Sequence, residues 1–105
     1  MIGKEEWKVA TNKIDYDTLE QASGTYSNQA AAIADVLTKL NSMNATLVEG
    51  WQNETARAFI DRYEREHKKA LEAARDSLND ISNYITKYRA NEIERDATGA
   101  NSIRG

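Results

Sequence analysis

Few side chains of this sequence could perform acid–base, nucleophilic or metal chemistry, and they occur in no spacing that such chemistry requires. His67 is the single histidine, and the chain contains no cysteine. The acidic residues form no EF-hand loop and no Glu-x-x-His or His-Glu-x-x-His pair, so no calcium, di-iron or zinc site is indicated. Glycine loops for phosphate and Gly-x-Ser-x-Gly elbows are also absent from the sequence. We therefore expect no enzyme, no metal and no cofactor, with His67 as a packed or rim residue on the inner face between Tyr63 and Leu71.

Trp51 is more informative because it stands in a polar segment, Glu49-Gly50-Trp51-Gln52-Asn53. Glycine and asparagine are the residues that most easily adopt positive φ, so this segment predicts a tight turn near the middle of the chain. An exposed indole is costly, so Trp51 either covers the end of a helical core or anchors a partner. The residues favour neither alternative.

Charge and hydropathy narrow the classes of partner. The net charge is -3 at pH 7, from 14 Lys and Arg against 17 Asp and Glu, without the basic excess typical of nucleic-acid binding. No stretch reaches the roughly 20 apolar residues of a membrane span, and the charged first residues lead us to expect no ordinary signal peptide. A basic cluster alternates with acids and is expected to be a solvated helix face, with docking of an acidic partner as the alternative. The cluster consists of Arg62, Arg65, Lys68 and Lys69.

The first of two long amphipathic helices is predicted to run from Asp17, where a capping box begins, to about Leu47. The chain contains no proline that would interrupt it. Its apolar residues recur every seven positions, which is typical of a helix that packs along its length. These residues are Leu19, Tyr26, Ile33, Leu40 and Leu47, and Ala22, Ala30, Val36, Leu37 and Met43 widen the stripe.

The second helix is predicted from about Glu54, with Asn53 or Thr55 as its cap, until its periodicity fades beyond Glu94. Acid-first pairs four residues apart, Asp61 with Arg65 and Glu64 with Lys68, should stabilise its exposed face. The apolar face carries Ala56, Phe59, Ile60, Tyr63, His67, Ala70, Leu71, Ala74, Leu78, Ile81, Ile85 and Tyr88.

These elements predict an all-α fold, an antiparallel two-helix hairpin over residues 17–95, between an irregular leader at 1–16 and a flexible tail at 96–105. Trp7 in the leader is expected to pack back on the hairpin. Each stripe is wider than one partner helix can cover, so we expect two hairpins to form a four-helix bundle. Its expected core is Leu19, Tyr26, Ile33, Leu37, Leu40, Tyr63, Leu71, Leu78, Ile81 and Ile85.

The turn and the second helix resemble those of the WXG100 family, the small substrates of type VII secretion systems. Trp51-Gln52-Asn53 falls where the family has Trp-x-Gly, and Phe59 follows the Trp by eight residues, as an aromatic does in family members. Asn53 in place of glycine departs from the family pattern. The family's second mark, Tyr-x-x-x-Asp/Glu near the end of the second helix, is matched by Tyr88 and Glu92.

The resemblance implies a substrate or secretion partner that is exported without cleavage as a folded dimer, from the cytoplasm to the outside. The Trp51 turn of one hairpin would lie beside the Tyr88 and Glu92 segment of the other, and the membrane-bound export ATPase would recognise those two residues on an exposed helical end. The second chain would be another copy or a related hairpin protein, and a larger effector is a further candidate partner. The alternative is a cytoplasmic adaptor or chaperone that binds a larger helical effector or toxin through the same stripe.

Overall fold

The structure, a computed structural model, describes the backbone of residues 13–104 and the side chains of residues 13–98. Helix α1 spans Tyr16–Gly50, and a short turn leads to helix α2 at Glu54–Arg62. A π-helical turn, Tyr63–His67, connects α2 without interruption to helix α3 at Lys68–Arg104. We call α2, the π turn and α3 together the second arm. The two arms form an antiparallel helical hairpin, as the sequence predicts, whereas most of the leader, including Trp7, lies outside the described residues.

Helix α1 begins earlier than the capping box at Asp17 predicts. Its N-cap is Asp15, which has extended backbone angles of φ -99° and ψ 103°. One carboxylate oxygen of Asp15 accepts from the amides of Asp17 and Thr18, each at 3.1 Å. The hydrogen bonds from these two amides hold the pKa of Asp15 below its ordinary value, and the amide of Thr18 has the larger effect. The predicted cap at Asp17 is therefore wrong by two residues, because Asp15 already satisfies the first free amides of the helix.

The turn between the arms differs in its chemistry from the turn that the sequence predicts. None of the described residues has positive φ, so neither Gly50 nor Asn53 supplies a left-handed conformation. Asn53 is extended instead, and its side-chain oxygen accepts from the amide of Ala56 at 2.9 Å. Asn53 is thus the N-cap of α2, one of the two caps the sequence proposes. Helix α1 runs through to Gly50, so the turn is confined to residues 51–53.

A polar seam sets the register of the two arms at their open end, away from the turn. Ser23 and Ser82 exchange hydrogen bonds with each other's carbonyls at 3.2 and 2.9 Å, and Thr86 lies 2.5 Å from the Ser23 hydroxyl. One heptad away, the Arg89 guanidinium donates to the carbonyl of Tyr16 at 2.8 Å. The same seven-residue step along α1 leads from Ser23 to the buried side chains of Ala30 and Leu37.

The π turn rotates α3 relative to α2, and this corrects the face that the sequence assigns to His67. Lys68 donates its amide to the Tyr63 carbonyl five residues back, so one extra residue enters the helix. The inner face therefore passes from buried Tyr63 to half-buried Lys68, and His67 is exposed. Beyond the π turn, the seam continues through Arg75, Ser82 and Arg89 at heptad spacing.

The same rotation leaves much of the apolar stripe of α3 outside the hairpin. Ile81 is 36% exposed and Tyr88 is 40% exposed, although both are on the predicted core face. On α1, Val36 and Met43 are exposed as well. Helix α3 continues to Arg104, well past Glu94, because the final residues still form backbone hydrogen bonds after apolar periodicity has faded.

Replacing Tyr63 by phenylalanine should leave the hairpin at least as stable as the parent. The Tyr63 ring is 6% exposed and its hydroxyl has no hydrogen-bond partner, so the substitution removes an unsatisfied buried group and keeps the packing. We expect the free energy of unfolding to rise by about 1 kcal/mol. Urea unfolding monitored by circular dichroism measures it, with Tyr84→Phe as the control because Tyr84 is 71% exposed. A loss of stability in Tyr63→Phe alone would contradict this account.

Candidate functional site

The tip of the hairpin gathers the predicted turn motif. Trp51 is half-buried and follows α1 directly, with its ring centroid 5.8 Å from that of Phe59 and the two rings tilted by 46°. This arrangement is the usual tilted packing of two aromatic rings. Phe59 itself is 46% exposed, so the two rings pack together at the tip and still present apolar surface to the solvent.

A groove of about 700 Å³ lies beside this aromatic pair at the tip. Val48, Trp51, Ala56 and Ile60 provide its apolar lining, and Asp61 is among the charged residues at its border. The Asn53 cap fixes where α2 starts, and so fixes the spacing of this groove from Trp51. The tip therefore supports both alternatives left open for Trp51, because the indole packs on the hairpin and also lines an open groove.

The open end of the hairpin holds the second predicted motif. Tyr16, in the first turn of α1, donates its hydroxyl to a carboxylate oxygen of Asp96 on α3. The pKa of Tyr16 is raised to about 12, mainly by this hydrogen bond. The nearby Glu92 and Tyr88 raise this pKa further through their charges. Tyr88 and Glu92 therefore sit next to the start of α1 rather than on a separate, free stretch of helix.

The two residues of that motif differ in accessibility. Tyr88 is 40% exposed. The Glu92 side chain is only 14% exposed, and its carboxylate lies 3.5 Å from the guanidinium of Arg95. In a single hairpin, Tyr88 is the more accessible of the two and Glu92 is largely covered.

The two motifs lie at opposite ends of the hairpin. Tyr16 is level with Arg89, one residue beyond Tyr88, whereas Trp51 follows the last residue of α1. The 35 residues of α1 separate them by about 52 Å at the helical rise of about 1.5 Å per residue. One chain cannot bring its own Trp51 to its own Tyr88.

The residues predicted for the core of a bundle divide into three groups in the single hairpin. Leu37 and Tyr63 are buried between the arms. Tyr26 and Ile81 are each 36% exposed. The others are half-buried, and they are Leu19, Ile33, Leu40, Leu71, Leu78 and Ile85.

The charged residues of the second arm form local pairs and no reactive cluster within the described part of the chain. The predicted pairs are confirmed, with Arg65 3.5 Å from Asp61 and Lys68 3.3 Å from Glu64. Arg62 also binds Glu66 at 2.8 Å, and this hydrogen bond lowers the pKa of Glu66. Among the described residues, no three His, Cys, Asp or Glu side chains are grouped to hold a metal ion. These features are those of a solvated helix face.

Sequence reasoning missed the polar partners at the open end, namely Ser23, Ser82, Arg89 and Asp96. Their signal was present in the sequence, because residues 68, 75, 82, 89 and 96 repeat at heptad spacing as polar residues. A heptad repeat of polar residues next to a repeat of apolar residues indicates a second line of contact along the helix, separate from the apolar stripe. The π turn, which brings this seam to face α1, has no comparable signal.

Comparison with known proteins agrees with this architecture. The family described as "Proteins of 100 residues with WXG" matches residues 12–94. An uncharacterized protein of Clostridium acetobutylicum is 27% identical over 87 residues, covering 83% of this chain and 90% of that protein. The crystal structure of EsxA from Geobacillus thermodenitrificans is similar with a TM-score of 0.75 at 22% identity, covering 87% of this chain and 100% of that chain. At this identity the likeness to EsxA concerns the fold.

The family match spans most of the chain, and so the chain belongs to the WXG100 family. It is a small helical protein associated with type VII secretion. No helix in the part of the chain that the structure describes combines the length and apolar character needed to cross a membrane.

The contact between Tyr16 and Asp96 predicts that the Tyr16 hydroxyl loses its proton at a higher pH than an ordinary tyrosine. Folding raises the pKa of Tyr16 from its ordinary value of 10.0 to about 12. The stabilisation from its hydrogen bond to Asp96 is therefore complete below pH 10.0 and is lost as the pH rises through about 12. An ultraviolet titration of tyrosinate should therefore show a step near pH 12 that disappears in Tyr16→Phe. A titration curve for Tyr16→Phe that keeps this step would contradict the assignment.

Proposed function

We propose that this protein is a type VII export substrate or secretion partner that works as a folded dimer of helical hairpins. The observation that carries the proposal is the separation of Trp51 and Tyr88 at opposite ends of one chain, because two antiparallel hairpins bring the turn of each beside the Tyr88 segment of the other. The function is recognition, in which no bond is made or broken. The partner is a second copy or a related hairpin protein.

The surface of the hairpin supports dimerisation. Helical periodicity places Tyr26, Val36 and Met43 of α1 on the same side of the hairpin as Ile81 and Tyr88 of α3. Exposed apolar side chains on one side of the hairpin are a natural interface for a second hairpin.

The interior of the hairpin supports the same conclusion. Within the described residues, only four apolar side chains are buried, and the seam between the arms carries Ser23, Ser82 and Arg89. Burial of apolar surface is the main source of folding free energy, at roughly 25 cal/mol per Å². A hairpin that buries so little by itself gains most of its core from a partner.

Export through the ATPase of the system would depend on Tyr88 first, because its ring is the more exposed part of the motif. Glu92 is covered by the first turn of α1 and held near Arg95, so we propose that it orients the end of α3 as well as contacting the motor. A role as a cytoplasmic adaptor for a larger effector is the second candidate. The same apolar side of the hairpin would then bind a helix of that effector.

The dimer interface can be tested by placing a charge at Ile81. Ile81→Asp would bury a carboxylate between the hairpins, and we expect it to convert a dimer into a monomer at micromolar concentration. Gel filtration with light scattering measures the mass. Asn79→Asp is the matched control, because it adds the same charge two residues away on the opposite side of α3 and should stay dimeric. A parent protein that is a folded monomer in this assay would refute the dimer.

Export can be tested by secretion from the native host. We expect the parent to appear in the culture supernatant and the Tyr88→Ala, Glu92→Ala double variant to be retained, with a cytosolic marker to detect lysis. The matched control is the Tyr84→Ala, Glu94→Ala pair, which removes another exposed tyrosine and another acid and should still be exported. Circular dichroism confirms that both variants are folded. Retention of the parent would favour the adaptor, and export of the Tyr88 and Glu92 variant would refute the proposed signal.

A further inference from the structure

The first residue of α1, Tyr16, is attached to α3 at two points. Its backbone carbonyl accepts from the Arg89 guanidinium at 2.8 Å, and its hydroxyl donates to a carboxylate oxygen of Asp96. Arg89 and Asp96 are seven residues apart on the seam of α3, which is about 10 Å at about 1.5 Å per residue. The Tyr16 ring between these two points therefore passes beside Glu92, which lies one turn beyond Arg89.

The burial of Glu92 agrees with this position of the ring. The Glu92 side chain is 14% exposed, although the Arg95 side chain next to it is 78% exposed. Glu92 is also close enough to Tyr16 for its charge to raise the pKa of the tyrosine hydroxyl. A protein that approaches this end of the hairpin meets Tyr88 and Asp96, which are both exposed, but little of the Glu92 carboxylate.

We propose that the Tyr16 side chain is a lid over Glu92, and that the first turn of α1 must move away from α3 before a partner binds the Glu92 carboxylate. The inference rests on the proposed function, because it concerns when the acidic half of the Tyr88 and Glu92 signal becomes accessible. In the closed hairpin Tyr88 is presented alone. After the lid opens, both residues are presented on one face of α3.

The first turn of α1 is held weakly enough to open while the hairpin stays folded. Besides the two hydrogen bonds of Tyr16, it is held by an ion pair at 3.5 Å between Arg89 and Glu20, whose side chain is 72% exposed. Exposed ion pairs contribute little to stability, and helix ends are the segments that open most readily. The next polar contact toward the turn, between Ser23 and Ser82, keeps the register of the arms during this opening.

Thiol reactivity in the full chain tests the lid, because the chain has no native cysteine. We expect Glu92→Cys to react with iodoacetamide at least about fivefold more slowly than Glu94→Cys, which replaces an exposed acid on the same helix. Adding Tyr16→Ala should bring the two rates to within about twofold of each other. Tyr84→Ala is the matched control, because it removes an exposed ring away from Glu92 and should leave the ratio unchanged.

Three results of the thiol experiment would overturn the lid. Equal rates for Glu92→Cys and Glu94→Cys with Tyr16 intact would mean that position 92 is not covered. A slow Glu92→Cys that stays slow after Tyr16→Ala would mean that another group covers it. A ratio of the two rates that approaches one on dilution would mean that a second chain covers it. Circular dichroism confirms that each variant is folded.

Secretion from the native host tests the opening step. We expect Tyr16→Ala to be exported at least about twofold faster than Tyr84→Ala, because the closed lid no longer lowers the fraction of chains that can bind through Glu92. Equal or slower export of Tyr16→Ala would overturn the requirement for opening. Retention of the parent and of all variants would refute the proposed function instead, and the thiol rates would still decide whether Tyr16 covers Glu92.

Discussion

The contact between Ser23 and Ser82 sets the register on which the rest of the structure depends. Two small side chains let the helices approach closely, and each hydroxyl satisfies a carbonyl of the opposite arm. A slip of one turn would separate this pair and would also move Arg89 away from the Tyr16 carbonyl. Because apolar packing alone tolerates such slips, the polar seam gives this simple hairpin one register rather than several.

This register leaves part of the apolar side chains of both arms unburied, and they form part of the hairpin's surface. The seam occupies the line where the arms face each other, so the apolar heptads of α1 and α3 are displaced to one side of the hairpin. Leu37 and Tyr63 are buried between the arms, whereas Ile81 remains on the displaced stripe. The arrangement keeps specificity within the chain and leaves apolar surface for association. It also separates the residues that pack the hairpin from the apolar surface that the proposed partner would cover.

The hairpin was predictable from the sequence because its signals are long and repeated. The heptads beginning at Leu19, the absence of proline and the polar turn around Trp51 all indicate the same two arms. The rotation at Tyr63–His67 was not predictable, because inserting one residue into a helix leaves no mark in composition. That single residue moved His67 outward. The covered position of Glu92 was not predictable either, because it depends on where α1 begins. Helix α1 is capped by Asp15, whereas the capping-box pattern predicts a start at Asp17.

The role of Asn53 bears on how the family signature is defined. If glycine at this position were needed for a left-handed backbone, asparagine would be one of few tolerable replacements. Here the backbone is extended and the side chain caps α2, so the requirement is for a hydrogen-bond acceptor at the start of a helix. Serine and aspartate meet that requirement about as well as asparagine, and threonine somewhat less well. Sequence patterns that allow these residues two positions after the tryptophan would therefore recover relatives that a strict Trp-x-Gly signature discards.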